Sequence, residues 1–244
     1  MAQTTTVDGA AGRSGAEPRQ RWRLVVRRAP DAPGLTQREL AEAGESALAG
    51  SGLPVAMTDA AIPRVRLSFG APLQAGIAAE AELIDVILTE RVPTWRVREA
   101  LADRLPAGWS LVELYDVWLA GPPLPGRVVA ADYRVVLAPG EHEGDPLDAD
   151  RVREATRRLL AARSLPRERR KGGGAVTYDL RPLLVDASVV DDGPPVVLRL
   201  RTRFHPELGT GRPEEVVAAL GEVLGGAVVP ASIVRERLEV AGGA

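Results

Sequence analysis

Apolar and polar residues alternate with period two in several short stretches of the chain and recur at helical spacing in others. In residues 64–69, Val65, Leu67 and Phe69 face one way and Arg64, Arg66 and Ser68 the other. That is the signature of a strand in a sheet with one covered and one open face. Residues 21–29 repeat it, with Trp22, Leu24 and Val26 against Arg21, Arg23 and Arg27. In residues 82–88, Ile84, Val86 and Leu88 oppose Leu83, Asp85 and Ile87, and residues 109–119 predict a fourth strand. Two helices are predicted between these strands. Thr36 stands three residues before Glu39, a capping-box spacing, and Leu40, Ala43, Ala47 and Leu48 form the stripe that follows. Thr94 is placed to cap a second helix with Val97, Leu101 and Leu105 on its inner side. The predicted order is strand, helix, strand, strand, helix, strand.

The Gly/Pro run at residues 121–126 is the strongest punctuation in the chain and predicts a boundary. The pattern then repeats: a strand over 132–137, a helix capped by Asp148 or Asp150, strands over 175–185 and 196–204, a helix with Pro213 in its first turn, and a last strand within 228–240. The expected fold class is therefore α+β, two ferredoxin-like βαββαβ halves in tandem. Paired strands without an intervening helix argue against a doubly wound parallel sheet. The halves are expected at 21–120 and 128–244, joined by a linker at 121–127. Residues 1–20 are small and polar, without apolar periodicity, and are expected to form a disordered tail.

Composition narrows the function classes. There is no cysteine, so a disulfide framework, a thiolate zinc site and a cysteine-ligated iron–sulfur cluster are excluded on this chain. His142 and His205 are the only histidines, too few for a histidine-rich metal centre, and no cofactor is expected. The formal net charge is −2, so any nucleic-acid site must be a local patch. No apolar run is long enough to span a membrane and the start is not a secretory signal, so no membrane partner is expected and the default location is the cytoplasm.

Two basic features stand out. Arg199, Arg201 and Arg203 alternate with Leu198, Leu200 and Thr202, so three guanidinium groups line one side of a strand about 7 Å apart. Such a row repels itself unless anions lie on it, and Arg134 on a neighbouring strand adds to it. The functional reading is a phosphate-backbone surface. The alternative is neutralisation by Asp132, Asp179 or glutamates of the other half. The second feature is residues 163–174, where Arg163, Arg167, Arg169, Arg170 and Lys171 precede three glycines, expected as a mobile basic loop. A solvated loop at a helix C-terminus is the plainer reading. Arg64, Arg66 and Ser68 of the first half and Arg181 of the second complete the candidate binding residues, for nucleic acid or for a partner. The glycine run lacks the continuation a P-loop needs. Asp85, Asp116 and Asp179 are strand carboxylates expected to partner arginines, and no catalytic residue is expected.

Residues 52–56 (GLPVA), 63–70 (PRVRLSFG), 72–76 (PLQAG) and 80–86 (EAELIDV) resemble the radical-SAM-linked protein family, a domain of unknown function found beside or fused to cobalamin-binding-type radical SAM proteins. Residues 178–183 (YDLRPL) resemble a second segment of that family. The chain departs from it where relatives carry a Ser-His-Leu-Asp run, here Thr36-Gln37-Arg38-Glu39, and where they carry a Gly-Phe-Asn-Pro-His-Pro-like loop, here residues 59–64. Both family histidines are absent. The resemblance implies an accessory role with a radical SAM protein as partner: a non-catalytic module that binds RNA or presents a substrate. A protein–protein scaffold and a stand-alone RNA-modifying enzyme using a strand carboxylate are the competing classes.

Overall fold

The computed structural model describes residues 17–138, 141–142, 145–171, 174–191 and 193–242. Most of the expected tail, residues 1–16, lies outside the described residues. Its last two residues already belong to the fold. The Arg19 N–H donates to the Leu88 carbonyl at 2.8 Å, and Gln20 is a buried strand residue whose side chain bonds Asp116 and the Val92 N–H.

The first half contains β1 (Gln20–Arg28), α1 (Gln37–Ala49), β2 (Leu67–Phe69), β3 (Ala78–Leu88), α2 (Thr94–Leu101) and β4 (Trp109–Val117). The capping box forms as the spacing predicts: the Glu39 N–H donates to the Thr36 hydroxyl and the Thr36 N–H to the Glu39 carboxylate. α2 is capped by Pro93 without a side-chain bond, so Thr94 is its first residue rather than its cap. The strand expected over 64–69 shrinks to Leu67–Phe69. Val65 makes only an isolated bridge to Met57, because the chain folds back on itself there instead of continuing along β3.

A turn leads through a 3₁₀ segment, Leu124–Arg127, into the second half: β5 (Val128–Leu137), α3 (Ala149–Ala161), β6 (Pro166–Lys171), β7 (Gly174–Asp179), β8 (Leu184–Asp191), β9 (Val197–His205), α4 (Pro213–Val223) and β10 (Pro230–Val240). Asp148 caps α3 and Pro213 opens α4. Two expectations fail here. Residues 166–171, expected within a loop, pair antiparallel with residues 174–179, with Pro166 opposite Asp179. The strand expected over 175–185 is broken by a 3₁₀ turn at Arg181–Leu183. The Asp179 carboxylate takes the Arg181 N–H there, and Pro182 has no N–H to give a ladder.

One mixed nine-stranded sheet holds both halves, in the order β8-β9-β5-β10-β3-β1-β4. β2 lies beside β3, and a two-residue strand, Gly209–Thr210, lies beside β9. Within each half every pair is antiparallel: β4-β1-β3-β2 in the first and β10-β5-β9-β8 in the second. The one parallel pair among the main strands joins β10 to β3, Val234 opposite Ala78. Because β2 is short, the start of β3 is left free, and β10 of the other half takes that edge. Gly70 permits the approach: a Cβ there would stand 3.0 Å from the Leu238 side chain.

The junction is held by Arg235 on β10. It is buried, paired with Glu82 on β3, and donates to the Ala71 and Pro72 carbonyls at 3.2 and 2.9 Å. Burial alone would lower its pKa; the Glu82 carboxylate outweighs that and raises it. Arg28 donates to the Gln74 and Pro33 carbonyls, and burial lowers its pKa. The Gly/Pro-rich turn at residues 70–76 is thus a clasp between the halves. One apolar core, with Leu24, Leu48, Ile84, Val86, Val97 and Leu101, lies under α1 and α2. A larger one, with Val135, Val152, Leu159, Leu198 and Leu220, lies under α3 and α4.

Candidate functional site

The sheet face away from the helices carries the charge. On β1, Arg21 and Arg23 share that face, and directly opposite Arg23 in register stands Asp85 of β3. Asp85 accepts from Arg21 Nε at 2.8 Å and from Arg23 Nε and Nη2 at 2.7 and 3.0 Å. Asp85 is 1% exposed and Arg23 2%. The bond to Asp85 raises the Arg23 pKa against burial, with Tyr115 adding to it. Arg21 also donates to the Gly121 and Pro122 carbonyls at 3.0 Å each. The segment between the halves therefore covers this part of the face and buries Arg21, Arg23 and Asp85. An open first-half face was expected; it is closed because the chain after β4 folds back over it.

The second half repeats the motif with its strands exchanged. Asp132 sits on β5, and directly opposite it in register is Arg201 of β9. Arg201 donates to Asp132 at 3.1 Å and pairs with Glu239, while Arg237 of β10 donates to Asp132 at 2.8 Å. Arg134 bonds Glu236 and Glu80 at 2.9 and 2.7 Å. The Glu236 bond raises its pKa, burial opposes, and Glu80 adds to the rise. Arg199 is 3.6 Å from Glu236. Arg203 is exposed and has no ion-pair partner among the described residues. Carboxylates thus answer Arg199 and Arg201 of the row and the neighbouring Arg134, the last in part through Glu80 of the first half.

Of the remaining candidates only Ser68, opposite Asp85 in register, shares this face. Arg64 pairs with Glu45 at the end of α1 (2.8 Å), Arg66 is exposed, and Ser68 is half-buried opposite Asp85. Arg181 is a clamp rather than a contact surface: it donates to the Leu160 carbonyl at the end of α3 and to the Leu184 carbonyl. Arg163 is exposed. On the hairpin, Arg167 pairs with Glu222 of α4, and Arg169 lies 5.2 Å from the Tyr178 ring centre. Arg170 and Lys171 belong to the same strand. Of the strand carboxylates, Asp85 does partner arginines. Asp116 instead accepts from Gln20, and Asp179 from the backbone N–H groups of Leu165 and Arg181. Burial works against the Asp179 anion, but those N–H groups prevail and its pKa falls.

Two clefts open on the charged face and meet at Arg23, Tyr115, Ala241 and Gly242. One, of about 600 Å³, is also lined by Arg201, Arg237 and Glu239. The other, of about 550 Å³, is also lined by Arg21, Trp118 and Arg127. An Arg–Asp cross-strand pair thus flanks the clefts on each side. Sequence reasoning missed Arg21, Arg23, Tyr115, Trp118, Arg127 and Arg237. Their parity on the strands was legible; the fold-back that gathers them was not.

Residues 21–213 match the family described as "Uncharacterized protein conserved in bacteria (DUF2344)". The chain belongs to this family. The DUF2344 match takes in both Arg–Asp pairs and the clasp at residues 70–76, and ends before β10. No curated protein matches this DUF2344 chain. Solved structures similar to it include the archaeal box H/ACA sRNP Nop10-Cbf5 complex (13% identity, TM-score 0.45). An H/ACA RNP bound to a substrate RNA containing 2'-deoxyuridine is similar at 12% identity and TM-score 0.47, and a Cbf5-Nop10-Gar1 complex at 10% and 0.48. Each alignment covers 88% of this chain and 48%, 47% and 49% of the respective solved chain, so this chain spans about half their length. No helix among the described residues is long and apolar enough to cross a membrane.

Proposed function

We propose that this DUF2344 chain is a non-catalytic accessory module that binds RNA through the charged sheet face and presents it to a separate enzyme. The observation that carries the reading is the excess of arginine over carboxylate around the two clefts. Arg21, Arg23 and Arg127 with Asp116 line one cleft, and Arg23, Arg201 and Arg237 with Glu239 line the other, while the buried Asp85 offsets only part of that charge. A cleft lined mainly by one sign of charge attracts the opposite charge. Arginine pairs with phosphate through planar forked donors, so the backbone of a nucleic acid suits the site. The accessory reading rests on the strand carboxylates Asp85, Asp116 and Asp179, each occupied by a guanidinium, an amide or backbone donors. The sequence resemblance names a radical SAM protein as the enzyme served. A radical SAM cluster would reside on that partner, because this chain has no cysteine. We also infer that the halves are tandem ferredoxin-like units fused edge to edge; the shared strand order and antiparallel pairing support this.

Fluorescence anisotropy with an unstructured RNA tests the function. Binding is expected at about 50 mM salt and should weaken steeply by about 200 mM, because paired phosphates release counterions. Absence of binding at the lower salt overturns the RNA reading and favours a protein partner. Co-elution with a radical SAM protein encoded beside the chain tests that partnership; independent elution removes it.

A further inference from the structure

Trp118 is 76% exposed although indole is costly to leave in water, and it stands at the rim of the cleft over Arg21 and Arg23. Its place is fixed. The ring lies 3.5 Å from where a Cβ on Gly121 would stand, the Gly121 N–H donates to the Trp118 carbonyl at 3.1 Å, and the Gly121 carbonyl accepts from Arg21. An exposed aromatic plane is therefore tied, through one residue, to a buried guanidinium. Tyr115 lines the same cleft beside Arg23 and is half-buried. The volume of about 550 Å³ falls in the range of small-ligand sites, roughly 300–1,000 Å³. The adjoining cleft continues past Arg23 to Arg201 and Arg237.

We propose that the cleft receives one unpaired nucleotide of a single-stranded RNA. Its base stacks on Trp118 and its phosphates run past Arg23 toward Arg201 and Arg237. This rests on the RNA reading above and makes it specific. Every base has a π-face, so an aromatic platform beside a cationic track holds a single strand without reading its sequence. A duplex keeps its bases stacked on one another and offers Trp118 none. Arg201 and Arg237 already share Asp132, so they attract phosphate without fixing it rigidly.

The test compares a labelled twelve-residue oligouridylate with an RNA duplex of equal length by anisotropy, using the full chain, Trp118→Ala and Arg237→Gln. Trp118 lies at the surface, so its removal is compatible with folding; circular dichroism checks this. The expected result is tighter binding of the single strand, loss of about tenfold in affinity with Trp118→Ala, and an unchanged salt slope for that variant. Arg237→Gln should weaken binding with a shallower salt slope, by about one counterion. If the duplex binds as well as the single strand, or Trp118→Ala binds oligouridylate like the parent, the nucleotide site is wrong while the RNA reading stands. If neither RNA binds, both fall.

Discussion

Arg23 with Asp85 and Arg201 with Asp132 are the same cross-strand pair placed twice on one sheet, with the strands exchanged. In the first half the arginine is on the first strand and the aspartate on the third of the 4-1-3-2 order; in the second the aspartate is on the first and the arginine on the third. Each aspartate accepts from two arginines. Their surroundings differ. Asp85 and its arginines are shut beneath the segment that follows β4, whereas the Arg201 and Asp132 side chains are 29% and 16% exposed and Arg237 is 66% exposed. The same residue types therefore serve two ends. Where water is excluded, an ion pair is obligatory, because each charge would otherwise be stranded. Where water reaches, the pair is exchangeable, and a phosphate can take the place of a carboxylate.

The sharpest way to break this comparison is to neutralise each aspartate in turn. Asp85→Asn strands two buried guanidinium groups and is expected to cost about 3–5 kcal/mol. Asp132→Asn should cost no more than about 1 kcal/mol. Urea unfolding of both variants measures the difference, and equal losses would show that burial does not separate the two pairs. A smaller effect on stability, with a larger one on binding, is expected from changing Arg199, Arg201 and Arg203 together to Gln. The chain should stay folded, because these side chains lie opposite the core, and RNA affinity should fall roughly uniformly across sequences with a reduced salt slope. Unfolding of the triple variant would mean the exposed row is as obligatory as the buried triad.

The smallest expected effect concerns Asp179, an acid that leans on backbone N–H groups rather than on arginine. Its pKa is lowered in the fold, so its contribution is present above the ordinary aspartate range and is lost as pH falls through the lowered value. Asp179→Asn should melt slightly below the parent at neutral pH, and the two should converge toward pH 2 in thermal scans. A gap that persists or widens on acidification would mean that the charge of Asp179 is not what those donors stabilise.

Much of the fold was legible because it is local. The Thr36–Glu39 box, the Asp148 cap and Pro213 at the start of α4 each depend on neighbours within one helical turn. The errors arose where distant segments compete for the same backbone. The basic residues of Pro166–Lys171 suggest a solvated loop; in the fold that stretch pairs with Gly174–Asp179, Arg167 reaches α4 and Arg169 lies by Tyr178. Arg181 was read as a surface cation because nothing in its own stretch reveals that it will close the end of α3.

Taken alone, the sequence determined which side of each strand a residue occupies, since side-chain parity is a property of the extended backbone. It placed Arg21, Arg23 and Asp85, and separately Asp132, Arg134, Arg199, Arg201 and Arg203, on the polar sides of their own strands. Only the tertiary structure decided which of these are spent and which remain available. That choice depends on what covers them: the Gly121 and Pro122 carbonyls, a hundred residues from Arg21, and β10, which crosses from the second half to the free edge of β3. Desolvation is set by the whole fold, and no period along the chain encodes it.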